Sequence, residues 1–269
     1  MTTLLIFGPG YTASRIGAAL RGRGWQVIAA RRSAAAGDVA FDDAAAVLPA
    51  IAAATHILSS VPPAEGEDPV LARYGAALAA APARWIGYLS STGVYGDAAG
   101  AWVDEATPLA GRRGGRNAAD ARWLTLHPEA RIFRLPGIYG PGRSALDRVA
   151  EGRAHRIALP DQVFSRIHVD DIVGAVLASL AAGPPGAYNV ADDAPCSQNR
   201  VIEAACDLLG RPWPPLLPLA EAGLSPAALA FYAENRRVAN GKARRLLGWS
   251  PRHPDYCAGL RAISRTPAN

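Results

Sequence analysis

The chain has 269 residues and a net charge of +5, with 50% of its residues apolar and 19% charged. This balance excludes a disordered chain, and the scattered arginines argue against nucleic-acid binding. Cys196, Cys206 and Cys257 lie too far apart to suggest a disulfide framework or a zinc site. No signal peptide or membrane span is evident, so we expect a cytoplasmic protein that does not contact membranes.

The first half alternates between apolar, strand-like runs and helical patterns. Thr3–Phe7 is a predicted strand, and a glycine turn and a helix follow it up to Gly24. Further strands are predicted at residues 25–30, 39–41, 56–60, 85–90 and 131–135, and helices at 70–80 and 117–126. A turn is predicted at 136–142, directly after the last of these strands. Strands that alternate with helices indicate parallel pairing through right-handed crossovers. The sequence therefore predicts an α/β fold with a doubly wound parallel sheet.

Beyond Arg143 short strands and helices mix. Strands are predicted at 163–169 and 188–190, a Pro-rich connector at 212–218, and helices at 145–152, 170–182, 197–209, 240–247 and 255–263. Ser197 is expected to cap the helix that follows it, and Asp170 the helix that starts there. His168, Asp170 and Asp171 resemble a metal cluster, but the capping role is preferred and no metal site is predicted.

A glycine motif follows the first strand. Gly8, Gly10 and Ala13 match the pattern G-x-G-x-x-G/A at the start of the first helix. Gly8 permits the tight turn, Gly10 lets the backbone approach a pyrophosphate, and the helix N-terminus offers N–H groups to the anion. We expect Gly8, Gly10, Tyr11, Thr12 and Ala13 to bind a dinucleotide.

The second strand ends in Arg31, Arg32 and Ser33 rather than in an acidic residue. An Asp or Glu at this place binds the ribose 2′-hydroxyl of NAD, whereas arginines suit a 2′-phosphate. The predicted cofactor is therefore NADP. Asp42, Ser60 and Val61 complete the predicted cofactor contacts in this half of the sheet.

Six segments in order resemble one family. They are GPGYTAS at 8–14, LSSTGVYGD at 89–97, RLPGIYGPGR at 134–143, RIHVDDIV at 166–173, YNVADD at 188–193 and LGWSP at 247–251. Together they make the chain similar to the extended short-chain dehydrogenase/reductase family, in its atypical branch of NAD(P)-dependent epimerase/dehydratase-like proteins. The resemblance implies a Rossmann-type domain at 1–165, and a mixed region at 166–269 with the last sheet elements and a small C-terminal α/β lobe over the substrate.

The resemblance also implies site residues. Ser91 would hydrogen-bond a substrate oxygen, with Thr92 as a weaker candidate. The candidate proton donors are Tyr95, Tyr139 and a bound water, and no spacing rule selects among them. The nicotinamide would lie beside Pro136, Gly137 and Ile138, at the end of a sheet strand. The substrate would meet Tyr139, Arg143, Ser165 and Arg166.

The family's general acid/base pair, a Tyr with a Lys four residues later, is missing. Lys242 is the only lysine, and Val238 stands four residues before it. Alignment places Arg112 where the Tyr belongs and Arg116 where the Lys belongs. An arginine stays protonated and cannot replace a phenol in proton transfer, although Arg116 can still hold the cofactor ribose.

Two functions remain open at this stage. The first is an NADP-dependent oxidoreductase, epimerase or dehydratase that acts on a hydroxyl or carbonyl group of a small polar molecule such as a sugar nucleotide. The second is an inactive NADP(H)-binding sensor or regulatory module. A homodimer is compatible with the alanine-rich helix at 70–80, although packing against its own sheet explains the same residues.

Overall fold

A computed structural model of the protein describes residues 1–33 and 35–265. The strands in chain order are β1 (Thr3–Phe7), β2 (Gln26–Arg31), β3 (Val39–Ala40), β4 (His56–Ser59), β5 (Ile86–Ser91), β6 (Trp102–Val103), β7 (Ala130–Leu135), β8 (Gly137–Tyr139), β9 (Arg156–Ile157), β10 (Arg166–His168), β11 (Gly186–Asn189), β12 (Leu216–Leu217) and β13 (Arg237–Val238). The helices are α1 (Tyr11–Arg21), α2 (Ala44–Ala53), α3 (Pro69–Ala79), α4 (Gly114–Leu126), α5 (Ala145–Ala150), α6 (Val169–Ser179), α7 (Gln198–Leu209), α8 (Pro226–Tyr232), α9 (Gly241–Leu247) and α10 (Tyr256–Ser264). Within the described residues, no helix is both long and apolar enough to cross a bilayer.

Seven strands form one parallel sheet in the order β11-β7-β5-β4-β1-β2-β3. The chain starts at β1, moves outward through β2 and β3, and returns to β4 on the other side of β1. From there it proceeds through β5 and β7 to β11. The doubly wound sheet predicted from the sequence is therefore confirmed, and its switch point lies between β1 and β4, where such sheets bind ligands at their carboxyl ends.

Apolar side chains fill both faces of the sheet. On one face Tyr74 of α3 and Trp123 of α4 are buried, and Trp123 stacks on Tyr88 with ring centroids 5.2 Å apart. On the other face Ile16 of α1 packs in one cluster with Ile172 of α6. The buried residues of α3 thus pack within the chain, and the homodimer stays a prediction.

A buried ion pair ties β7 to α4. Nη2 of Arg134 lies 2.7 Å from Oδ1 of Asp120, and the two side chains are 4% and 0% exposed. Ser90 donates to the same carboxylate, and Arg134 donates to the Tyr95 hydroxyl at 3.0 Å. Tyr95 in turn donates to Oδ1 of Asn189 on β11 at 2.7 Å. This network links β5, β7, β11 and α4 beneath the ligand end of the sheet.

Three two-stranded sheets lie outside the large one. They pair β10 with β8, β12 with β9, and β13 with β6, all in parallel. Each of them joins a strand that precedes residue 165 to a strand that follows it. The predicted domain division at 165 is not tested by these pairings and stays a prediction.

Two local expectations differ from the structure. The segment 136–142, predicted as a turn, contains β8, because Gly137 donates from its backbone to Ser165 and so extends the pairing with β10. The N-cap of α6 is His168 rather than Asp170, since Nδ1 of His168 accepts the backbone N–H of Asp170 at 3.2 Å. Ser197 caps α7 as predicted.

Candidate cofactor and substrate cleft

The glycine turn between β1 and α1 has the geometry of an anion cradle. Gly8 has a φ of +71°, and a Cβ there would come within 2.7 Å of Val61. The Ser60 hydroxyl donates to the Gly8 carbonyl and fixes the turn from below. Gly10 is the N-cap of α1, and no side chain caps the N-terminal amides of that helix. These amides have no partner within the helix, so they can bind a diphosphate.

Cationic side chains surround the start of α1. The guanidinium carbon of Arg15 lies 5.0 Å, and that of Arg143 5.7 Å, from the centre of the Tyr11 ring. Tyr11 itself donates to the Pro141 carbonyl at 3.0 Å. Thr12 and Ala13 are buried in the helix face against the sheet, in keeping with the small residue that close packing requires.

Two arginines lie at the end of β2, and one of them forms an ion pair. Arg31 lies 2.8 Å from Asp38, while its Nε is buried without a hydrogen-bond partner. Arg32 and Ser33 are exposed. Asp42 is exposed and pairs with Arg73 at 3.4 Å. Sequence reasoning missed Asp38, because its contact with Arg31 depends on how the loop after β2 folds back.

These features fit a dinucleotide. The cradle at Gly8 has no room for a side chain, the helix amides are uncapped, and Arg31 has an orphaned donor at the strand end. The turn and the N-terminus of α1 would hold the diphosphate, and the end of β2 would hold the adenosine ribose. A preference for NADP over NAD stays a prediction.

A first cavity of about 160 Å³ lies at the carboxyl ends of β5 and β7. It is lined by Ser91, Thr92, Gly93, Arg112, Arg113, Arg116, Pro136, Gly137, Val163, Phe164, Ser165, Ala230, Phe231, Glu234, Arg236 and Val238. The Ser91 oxygen accepts the backbone N–H of Gly93 at 3.1 Å. This contact fixes the oxygen and leaves the hydroxyl proton for a ligand.

The first cavity is strongly cationic. Glu234 binds Arg112 at 2.9 Å and Arg236 at 2.7 Å. Burial alone would raise the pKa of Glu234, but the two guanidiniums hold this pKa below its usual value. In the described part of the chain, no carboxylate pairs with Arg113 or Arg116, and Nε of Arg116 is buried without a partner. The cavity thus offers unpaired guanidiniums to an anionic ligand.

Neither Tyr95 nor Tyr139 has the properties of a general acid. Tyr95 is 2% exposed, and its hydroxyl is bonded to Arg134 and Asn189 rather than placed in the cavity lining. Tyr139 donates to the Asp255 carbonyl at 3.4 Å. Burial raises the pKa of both phenols. The structure therefore brings Ser91 and Thr92 into the cleft and leaves Tyr95 outside it.

A second cavity of about 550 Å³ adjoins the first and shares Gly137, Phe164, Ser165 and Phe231 with it. Ile138, Tyr139, Arg143 and Arg166 line this second cavity. Ser165 accepts the backbone N–H of Val238 at 2.9 Å. Arg166 donates to the carbonyls of Phe164 and Cys196 and to Gln198. The predicted substrate residues thus lie together, but Ser165 and Arg166 also hold the chain in place.

Several residues of the cleft were not predicted from the sequence. Phe231, Glu234 and Arg236 come from the segment around α8 and carry no recognisable motif. Phe164 lies parallel to Phe231, with centroids 4.3 Å apart. The only available signal was the mixture of aromatic and charged residues at 231–237, and composition alone does not place such a segment over a cleft.

Asp171 has a structural role at the start of α6. Its ligand atom lies within 4.8 Å of those of His168 and His253. However, the carboxylate accepts the backbone N–H groups of Arg252 and His253, and Nδ1 of His253 lies 2.9 Å from it. Asp171 therefore fixes the loop before α10 against the start of α6.

Asp192, behind the second cavity, should make stability depend on pH. Its side chain is 2% exposed, and burial raises its pKa to about 7 from an ordinary 3.8. Between these values the folded state holds more protons than the unfolded state, so the free energy of unfolding falls as the pH rises. We expect Asp192→Asn to be more stable than the parent at pH 8 by roughly 2 to 4 kcal/mol, and equally stable near pH 3.5, in urea titrations.

Asp193→Asn is the matched control for this titration. Asp193 is 40% exposed and pairs with Arg244 at 2.8 Å, so its loss should cost less than about 1 kcal/mol and give no gain at pH 8. Parallel pH profiles for the parent and Asp192→Asn would show that the carboxyl titrates normally.

Comparison with known proteins identifies relatives of this fold. No family model matches the chain. A conserved protein of unknown function from Silicibacter pomeroyi DSS is 42% identical, with 98% of each chain covered and a TM-score of 0.86. The chain belongs to the family of this conserved protein. Its other structural neighbours are NAD(P)-dependent epimerase/dehydratase-like enzymes.

Two further relatives are informative. The human epimerase family protein SDR39U1, whose structure holds NADPH, is 17% identical, covers 99% of this chain and 100% of its own, and has a TM-score of 0.77. At that identity the likeness shows the fold alone. A 3-diazoavenalumate denitrifying reductase from Streptomyces sp is 35% identical over 140 residues. That match spans 48% of this chain and 45% of the reductase, so it covers less than half of either protein.

Proposed function

We propose that the protein is an NADPH-dependent reductase that acts on a small, anionic, aromatic molecule. The observation that carries this proposal is the first cavity, where Ser91 and the unpaired Arg113 and Arg116 meet at the carboxyl ends of β5 and β7. Ligands of doubly wound sheets bind at these strand ends. The glycine turn supports a dinucleotide that reaches this cavity, and the NADPH-bound human relative supports the same cofactor.

Five side chains of the first cavity have a role in this proposal. The Ser91 hydroxyl donates a hydrogen bond to the polar atom of the group that is reduced. Arg113 and Arg116 compensate negative charge on the substrate and on the cofactor. Phe164 and Phe231 contact the aromatic ring and exclude water, which strengthens the polar contacts in the cavity.

Among the described residues no tyrosine lines the first cavity, and this favours a reduction that needs no proton from a phenol. The name of the Streptomyces relative describes a reductase that removes nitrogen from a diazo compound. With an aryl diazonium group, NADPH would supply a hydride that forms the new C–H bond as the C–N bond breaks, N₂ leaves with the bonding pair, and NADP⁺ remains. A carbonyl substrate would need a proton from outside the first cavity lining, because Tyr95 is held in the core by Arg134 and Asn189.

A sensor is the second candidate, and one observation favours it. The chain contains no Tyr-x-x-x-Lys pair, and Arg112 at the tyrosine position is bound to Glu234. A sensor would bind NADPH tightly and oxidise it with no member of a panel of diazo and carbonyl aromatic acids. Turnover of any panel member removes the sensor from consideration.

Ser91→Ala tests the reductase proposal directly. We expect the rate of NADPH oxidation with the best panel substrate to fall about tenfold or more, because a hydrogen bond to a polarised group is lost. The measurement is the decrease in NADPH absorbance, together with N₂ release for diazo substrates. Thermal melting confirms that the variant is folded.

Ser264→Ala is the control for this experiment. Ser264 is exposed at the end of α10 and does not line the first cavity, and its hydroxyl donates to the Arg261 carbonyl. The control should keep the parent rate. An unchanged rate in Ser91→Ala would remove Ser91 from the reaction.

A further inference from the structure

The second cavity carries an excess of positive charge. Its charged lining residues are Arg143, Arg148, Arg153, Arg166, Asp147 and Glu151. Both carboxylates are already engaged. Asp147 accepts the backbone N–H and the hydroxyl of Ser144, each at 2.6 Å, in the capping box of α5. Glu151 pairs with Arg153.

Arg148 is left without an anion. In the part of the chain that the structure describes, no carboxylate lies within ion-pair distance of its guanidinium, and its Nε is buried with no hydrogen-bond partner. Burial lowers the pKa of Arg148; Tyr232 opposes this shift, and the neighbouring Arg166 and Arg153 add to it. A half-buried guanidinium in this state costs stability unless a ligand compensates it.

A second orphaned donor belongs to a residue of the same lining. Gln198 uses its Oε1 to accept from Arg166 at 3.2 Å, and its Nε2 is buried without a partner. Both Gln198 and Arg148 line the second cavity. An oxyanion with two oxygen atoms can accept from a guanidinium and an amide at once.

The remaining wall is aromatic. Phe164 is parallel to Phe231, and Tyr232 meets Phe164 edge to face at 5.6 Å. Phe164 and Phe231 also line the first cavity, so the two cavities share an aromatic wall. A molecule with an aromatic ring and an anionic group at one end would therefore fit the aromatic wall and Arg148.

We propose that the second cavity binds the carboxylate of an aromatic acid, with Arg148 and Gln198 as its specificity-determining contacts. This inference rests on the proposed reductase function, because it names the far end of the molecule that is reduced at Ser91. It assigns the carboxylate to the second cavity and the reducible group to the first.

Calorimetric titration with cinnamate tests the inference without turnover. The protein saturated with NADP⁺ should bind cinnamate at least about tenfold more tightly than the neutral cinnamamide, since charge-assisted hydrogen bonds distinguish the two. Arg148→Met should abolish this preference, and Arg148→Lys should restore part of it. Gln198→Leu should weaken cinnamate and leave cinnamamide unchanged.

Arg200→Met is the matched control. Arg200 is exposed on α7, outside the lining of the second cavity, and its variant should keep the parent preference. Equal binding of cinnamate and cinnamamide, or an unchanged preference in Arg148→Met, overturns the inference. Tighter binding of phenyl phosphate than of cinnamate would assign the site to a phosphate group and overturn its assignment to a carboxylate.

The two proposals fail in different ways. If cinnamate binding depends on Arg148 while no panel member is reduced, the reductase function is wrong and the carboxylate site stands. If an aromatic acid is reduced at the same KM by the parent and by Arg148→Met, the carboxylate site is wrong and the reductase function stands.

Discussion

Replacement of Arg31 and Arg32 by alanine is expected to weaken NADPH binding by about 10- to 100-fold and to change NADH binding by less than about threefold. The 2′-phosphate distinguishes the two cofactors, and these guanidiniums are its predicted partners at the end of β2. The orphaned Nε of Arg31 and the exposed Arg32 supply donors there. Calorimetric titration of both cofactors measures the effect.

Arg23→Ala controls for the loss of positive charge. Arg23 is exposed and lies just before β2, at the opposite end of that strand from Arg31. Its variant should keep the NADPH preference. Equal affinity of the parent for NADPH and NADH would mean that Asp38 neutralises Arg31, so that the strand end does not select a phosphate.

Arg134→Met should cost about 3 to 5 kcal/mol of unfolding free energy. The variant leaves the Asp120 carboxylate, which is 0% exposed, without its cation. It also removes a donor from Tyr95. Urea titration at pH 7 measures the loss, and the double variant Arg134→Met/Asp120→Leu should recover part of it because no buried charge remains.

Arg153→Met provides the comparison for stability. Arg153 and Glu151 also form an ion pair, but their side chains are 67% and 50% exposed. Solvent screens such a pair, so the expected loss is below about 1 kcal/mol. A loss of similar size in both variants would show that burial does not set the strength of the Arg134 pair.

The sequence predicted those parts of the site that follow strong local patterns. β1, the glycine turn and α1 form one apolar strand, one turn and one helix, and each signal lies within a few residues. Arg112 and Arg116 were placed by the family resemblance, and both line the first cavity. Local patterns therefore located the glycine turn, and the resemblance located two residues of the first cavity lining.

The rest depends on contacts between distant residues. β8 has three residues and exists because β10, nearly thirty residues later, pairs with it. Arg148 looks like any surface arginine of a short helix, and only the fold shows that nearby carboxylates are committed elsewhere. Which carboxylate is bonded to which partner cannot be deduced from sequence spacing.

The three small sheets also constrain how the chain is made. β6, β8 and β9 leave the ribosome before residue 165, but their partners β13, β10 and β12 follow it. β7 likewise keeps one edge unpaired until β11 has been synthesised and pairs with it. During synthesis the nascent chain must therefore carry open strand edges until its last third emerges, and such edges are where aggregation begins.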